Sequence, residues 1–219
     1  MDNLENQGVT DTKTETRPII KSHKGENKNV ILGITGASGA IYGVRILRTL
    51  IMNNFNVDLI VTEYGQYSLF RECGMDLNQG NVQNYFPEMI LNKSTVSFHS
   101  NLDLKSEIFS HAYNAYGVIV APCAMSYIAQ IANGECQNLI VKCADHAMAY
   151  SRPLIVVPRE TPVNRIQLKN MIKILDAGGK VIPAMPGYEN SPKDFNDLGD
   201  YIAVLALDLL MGGRSNSGH

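Results

Sequence analysis

From Val30 to Gly43 the chain reads Val-Ile-Leu-Gly-Ile-Thr-Gly-Ala-Ser-Gly-Ala-Ile-Tyr-Gly. An apolar run leads into a turn of glycine and small hydroxyl residues, and then into the apolar spacing of a helix. A buried strand feeding a helix through so short a turn is the start of a parallel α/β unit. The order also makes an anion site. The strand delivers the chain to its carboxyl edge, and Gly36 and Gly39 allow the backbone close to a ligand. The free N–H groups and positive dipole end of the helix then face that ligand. A phosphorylated ligand is the first expectation, and a glycine-rich turn that binds nothing is the plain alternative. The spacing is neither the Walker pattern nor the dinucleotide Gly-x-Gly-x-x-Gly.

The same alternation continues to the end of the chain. Val30–Ile34, Val57–Val61, Val118–Ala121, Leu154–Val157 and Val181–Ile182 read as buried parallel strands. Ala40, Val44, Leu47 and Ile51 share one helix face. Further helices are expected over Tyr64–Glu72, Met125–Ile131, Asn138–Ala149 and Phe195–Met211. Another spans Arg165–Ala177, after Pro162 and stopped by Gly178-Gly179. The pattern predicts an α/β fold: an open, doubly wound parallel sheet with helices on both faces. Residues 73–116 carry the weakest signal. Residues 1–28 hold ten charges, five of each sign, and few large apolar side chains, and read as a disordered tail. Residues 29–212 form the ligand-binding domain, and 213–219 a flexible end.

A chain of 219 residues with 45% hydrophobic content supports one domain with a real core. A net charge of −2 points away from nucleic acid and anionic membranes. No apolar run reaches the roughly 18 residues of a membrane span, and no signal-peptide core opens the chain. Cys73, Cys123, Cys136 and Cys143 show neither a CxxC pair nor a zinc spacing, and read as reduced thiols of a cytoplasmic protein. Cys123 ends a strand and reads as a small buried apolar residue. His99, His111 and His146 have no metal-ligand spacing, so no metal site is expected.

Ligands of doubly wound sheets bind beyond the carboxyl ends of the strands. Four segments occupy those ends: Gly36-Ala37-Ser38, Thr62-Glu63, Pro122 to Tyr127, and Pro158-Arg159-Glu160-Thr161-Pro162. They supply hydroxyls, an arginine and a carboxylate, with a mixed polar and apolar wall. That set suits a phosphate bearing a large planar group. The prolines on either side of Arg159-Glu160 fix the backbone around the pair, which otherwise reads as a surface ion pair of little worth.

These segments, with Asn138-Leu139-Ile140 and Pro183-Ala184-Met185-Pro186-Gly187, resemble the flavin prenyltransferases (UbiX-type) over residues 29–210. That family lies within the wider flavoprotein family that includes cysteine-peptide and phosphopantothenoylcysteine decarboxylases. The resemblance implies a flavodoxin-like fold, assembly as a homo-oligomer built from trimers into a dodecamer, and FMN held between subunits. It implies transfer of a dimethylallyl group from dimethylallyl phosphate to reduced FMN, for use by a partner decarboxylase. By position, FMN contacts fall on Gly36, Ala37, Ser38, Thr62, Ser126 and Arg159. The helper serine and the two carboxylates are Ser38, Glu72 and Glu160.

Departures cluster at the donor phosphate. The family arginine there is Lys142, a lysine is replaced by Ala149, a tyrosine by Glu189, and an arginine by Leu205. The sequence therefore predicts an FMN-binding relative with an altered prenyl-phosphate site, which uses or carries FMN. The alternatives are an authentic flavin prenyltransferase and a non-catalytic assembly subunit. The decarboxylase branch has a histidine just before the third strand. His111 lies about three residues from that place and reads as a structural or surface histidine.

Overall fold

The computed structural model describes residues 29–108, 115–189 and 191–212. His111 and both tails lie outside them. Six parallel strands, β1 (Asn29–Ile34), β2 (Asn56–Val61), β3 (Val96–His99), β4 (Gly117–Cys123), β5 (Leu154–Pro158) and β6 (Lys180–Val181), form one sheet. Their order is β3-β2-β1-β4-β5-β6, so the winding direction reverses between β1 and β4.

The helices are α1 (Ala40–Met52), α2 (Glu63–Cys73), the short α3 (Val82–Tyr85) and α4 (Glu88–Asn92), α5 (Met125–Asn133), α6 (Leu139–Ala149), α7 (Arg165–Asp176) and α8 (Phe195–Leu210). Side chains alternate across each strand and build two cores. Val30, Leu32, Ile34, Leu59 and Ile119 pack with α1 and α8 on one face. Ile31, Ile60, Val118, Val120 and Val156 pack with α5, α6 and Ile174 of α7 on the other. No helix among the described residues is long and apolar enough to cross a membrane.

The five expected strands are present, the last one residue earlier than Val181–Ile182. Ile182 nevertheless continues the ladder, its N–H donating to Val156 O at 2.9 Å. β3, α3 and α4 lie in the stretch of weak signal. Val96-Ser97-Phe98-His99 is a four-residue edge strand with only Val96 buried, so it has neither length nor a continuous apolar run. Its pairing with β2, Val57↔Val96 through Ile60↔His99, defines it.

The parallel register brings Ile34 beside Val61, and Cys123 beside Pro158, at one edge of the sheet. The loops after β1, β2, β4 and β5 therefore leave from a common rim.

Candidate active site

Thr35 sets the geometry of this rim. It is fully buried. Its hydroxyl donates to Pro122 O at 2.7 Å and accepts from Ala124 N–H at 2.8 Å, while its own N–H reaches Pro122 O at 3.2 Å. The β1 loop is thereby pinned to the start of α5. α2 approaches just as closely. A Cβ on Gly36 would lie 2.3 Å from Tyr64 Cβ, and one on Gly65 would lie 2.5 Å from Ile34 O. Gly36 is thus required by helix packing, a different reason from the ligand approach that its place in the turn suggests. Gly39 has φ +100°, a left-handed conformation that favours glycine and starts α1.

A cavity of about 640 Å³ opens beside this turn. Its lining includes Ser38, Gly39, Tyr42, Glu72 and Arg159, together with the apolar Met75, Phe86 and Phe195. Three arginines line it. Arg45 is held by Asp200 through a bidentate pair at 2.5 and 2.6 Å, and Arg48 by Glu88 at 2.6 Å. Among the described residues no carboxylate pairs with Arg159. An exposed guanidinium with no internal anion, beside a helix N-terminus, is ready to take a phosphate or carboxylate.

Glu72 reaches back from the end of α2. Its Oε2 accepts the N–H groups of Gly39 and Ala40 at 2.7 and 2.8 Å. It thus occupies two of the α1 amides that the turn offers to an anion. Thr62 caps α2, its hydroxyl accepting from Gly65 N–H at 3.0 Å, and it keeps its own proton to donate. Burial raises the Tyr42 phenol, opposed by Arg159 and reinforced by Tyr188, so Tyr42 is a proton donor beside the arginine. Tyr42 belongs to the glycine-rich run, but its place beside Arg159 appears only in three dimensions.

Of the expected site residues, Gly36, Ala37, Thr62, Ser126, Lys142 and Glu160 are not among those lining this cavity. Gly36 and Ala37 lie in the turn that leads into it. Ser126 is exposed in the first turn of α5, and Glu160 is exposed beside Arg159, its carboxylate accepting Thr161 N–H at 3.0 Å. Lys142 lies on α6, where its ammonium donates to Leu104 O at 3.1 Å. The first four amides of α6 are all satisfied. Those of Leu139 and Ile140 donate to the main-chain and side-chain oxygens of Asn101, and those of Val141 and Lys142 to the side-chain and main-chain oxygens of Asn138. The α6 N-terminus is therefore closed to an anion, unlike the Arg159 corner.

Ala149 is exposed at the end of α6 and Leu205 on the outer face of α8. The Glu189 carboxylate folds back over Gly187 into the space a Cβ there would fill. All four thiols are shifted up by burial, Cys73 to about 11 and Cys143 to about 12, so none is a ready nucleophile. The described residues contain no cluster of three potential metal ligands among His, Cys, Asp and Glu.

The profile of the Flavoprotein family matches residues 18–205. The chain belongs to the Flavoprotein family. This flavoprotein is 38% identical over 185 residues to the flavin prenyltransferase UbiX of Halalkalibacterium halodurans, across 82% of this chain and 86% of that relative. Among solved structures it resembles AnUbiX (PadA1) in complex with FMN and dimethylallyl pyrophosphate. The TM-score is 0.74 at 28% identity, over 85% of this chain and 93% of that one. It also resembles the dodecameric FMN-dependent UbiX-like decarboxylase of Escherichia coli O157:H7, with TM-score 0.71 and 29% identity over 82% and 93% of the two chains. It is a flavoprotein of the flavin prenyltransferase kind.

Proposed function

We propose that this protein binds FMN and transfers a dimethylallyl group to it from a phosphorylated donor. The Arg159 guanidinium, without a carboxylate partner among the described residues and facing a cavity it shares with Ser38, carries the FMN part. A flavin phosphate needs a cation and hydroxyl donors, and Arg159, Ser38, Thr62 and Ser126 are of the right kind. Gly36 and Ala37 complete the turn that faces the flavin. The solved relative named for FMN and dimethylallyl pyrophosphate supports the transfer part.

When bound and reduced, FMN supplies a nucleophilic ring. The protein's residues supply the rest. Arg159 fixes the flavin phosphate. Lys142 offsets charge on the departing donor phosphate. Ser38 donates a hydrogen bond, and the Glu72 and Glu160 carboxylates hold and move protons beside the ring. Glu72 begins with the Gly39 and Ala40 amides in its grasp, so its carboxylate is fixed in place before any ligand enters. We further propose a homo-oligomer, as in the dodecameric relative. Ser126, Ala149 and Leu205 are exposed in the single chain, where a neighbouring copy would complete the site.

Ala149, Glu189 and Leu205 support a second reading, an FMN-binding relative whose donor grip is too weak for transfer. Anaerobic incubation with reduced FMN and dimethylallyl phosphate or pyrophosphate, then mass spectrometry of the extracted flavin, separates the two. Flavin carrying one added dimethylallyl unit is the expected result. Unmodified bound FMN leaves only the second reading, and a protein that takes up no FMN overturns both.

A further inference from the structure

Asn101 lies in the loop that follows β3, two residues after His99, and nothing in the sequence marks it. Its half-buried side chain makes two bonds of opposite sense. Oδ1 accepts the N–H of Ile140 at 3.1 Å, and Nδ2 donates to the Tyr127 hydroxyl at 2.9 Å. Its main-chain oxygen accepts the N–H of Leu139 at 2.9 Å. One residue thus ties the first turn of α6 to the first turn of α5. Asparagine suits this place because one planar amide offers an acceptor and a donor together.

The loop is itself braced. The His99 ring bridges Asp58 Oδ1 at 3.0 Å and Ser106 Oγ at 3.2 Å, tying Ser106 of the loop to β2 through the end of β3. Leu104 O holds the Lys142 ammonium. A second tie runs from Asn138 Nδ2 to Gln130 Oε1 at 2.7 Å, farther along α5. Tyr127 directly follows Ser126, and Ile140 lies two residues before Lys142. The Asn101 bonds therefore act beside the residues assigned to the flavin and to the donor phosphate.

We infer that Asn101 is a positioning residue: it locks the first turns of α5 and α6 at a fixed separation and so sets the grip of Ser126 on FMN. This rests on the FMN binding proposed above. Asn101 touches no ligand in this scheme and acts through Tyr127.

The test is a double-mutant cycle of Asn101→Ala and Tyr127→Phe in the full chain, read by the FMN dissociation constant and the thermal midpoint. Both substitutions remove the Asn101–Tyr127 bond, and Asn101→Ala also removes the acceptor of the Ile140 N–H, so Tyr127→Phe should weaken FMN binding about three- to tenfold and Asn101→Ala at least as much. The double variant should be no weaker than Asn101→Ala alone, because the shared bond can be lost only once. Tyr127→Phe should do this with its midpoint near that of the wild type. Effects that multiply, or FMN affinity unchanged while only the midpoint falls, would show a purely structural role and overturn the inference. If Asn101→Ala does not fold, Tyr127→Phe decides by the same two readings. Wild-type protein that takes up no FMN removes the proposed function itself, and the positioning role of Asn101 with it.

Discussion

Replacing Thr35 by valine tests the rim at its centre. Valine keeps the shape of threonine and exchanges the hydroxyl for a methyl group. In the fully buried native site that hydroxyl makes two bonds, at 2.7 and 2.8 Å. Pro122 O keeps the Thr35 N–H at 3.2 Å, so the acceptor stays partly satisfied. Ala124 N–H loses its partner, and a buried donor left unpaired costs about 1–3 kcal/mol. We expect Thr35→Val to lower unfolding stability by about that amount, or roughly 2–12 °C in Tm for a domain of this size. Thr35→Ser keeps both bonds and loses one methyl group, for about 0.8 kcal/mol. Urea unfolding of both variants at one fixed protein concentration reads the difference, with the slope unchanged. A valine variant as stable as wild type, or less destabilised than the serine variant, would refute the claim that the hydroxyl, not packing, holds the loops together.

Arg159→Ala should weaken FMN binding by about 1–3 kcal/mol, roughly 5- to 150-fold, in a titration of folded protein. An unchanged affinity would remove Arg159 from the ligand set. Gly36→Ala should cost about 1–3 kcal/mol of stability, because its Cβ would fall 2.3 Å from Tyr64 Cβ and α2 would have to move. A thermal midpoint equal to that of wild type would contradict that packing. Burial raises the Cys143 thiol from 9.0 to about 12, so the unfolded chain loses this proton first as pH rises. The stability difference between wild type and Cys143→Ala should therefore be constant below about pH 9 and move against the wild type from there towards pH 12. A difference independent of pH would show that the thiol is not buried.

Much of the architecture is written in contiguous sequence. Val30 to Gly43 specifies strand, turn and helix because apolar spacing and glycine act within a few residues of one another. The runs at Val57, Val118 and Leu154 specify interior strands because parallel sheets bury both faces. That is enough to predict a doubly wound sheet and the rim where its loops meet. β3 escaped that reading because an edge strand of four residues, with one buried side chain, is defined by its partner rather than by its own pattern.

At the site, sequence supplied the residue types and the tertiary structure decided their state. Arg45, Arg48 and Arg159 are chemically alike. Only packing pairs the first two, bringing Asp200 to Arg45 across 155 positions of the chain while leaving Arg159 without a carboxylate among the described residues. Glu72 was marked as a site carboxylate only by the family resemblance, and its hold on Gly39 and Ala40 spans 33 and 32 positions. Asn101 carried no signal at all, since its role depends on two helix ends that meet only after the sheet has formed. Local pattern fixes φ, ψ and which face is apolar through neighbours a few residues apart. Hydrogen bonds between distant side chains depend on where closed loops and packed helices bring their atoms, and no short stretch of sequence contains that information.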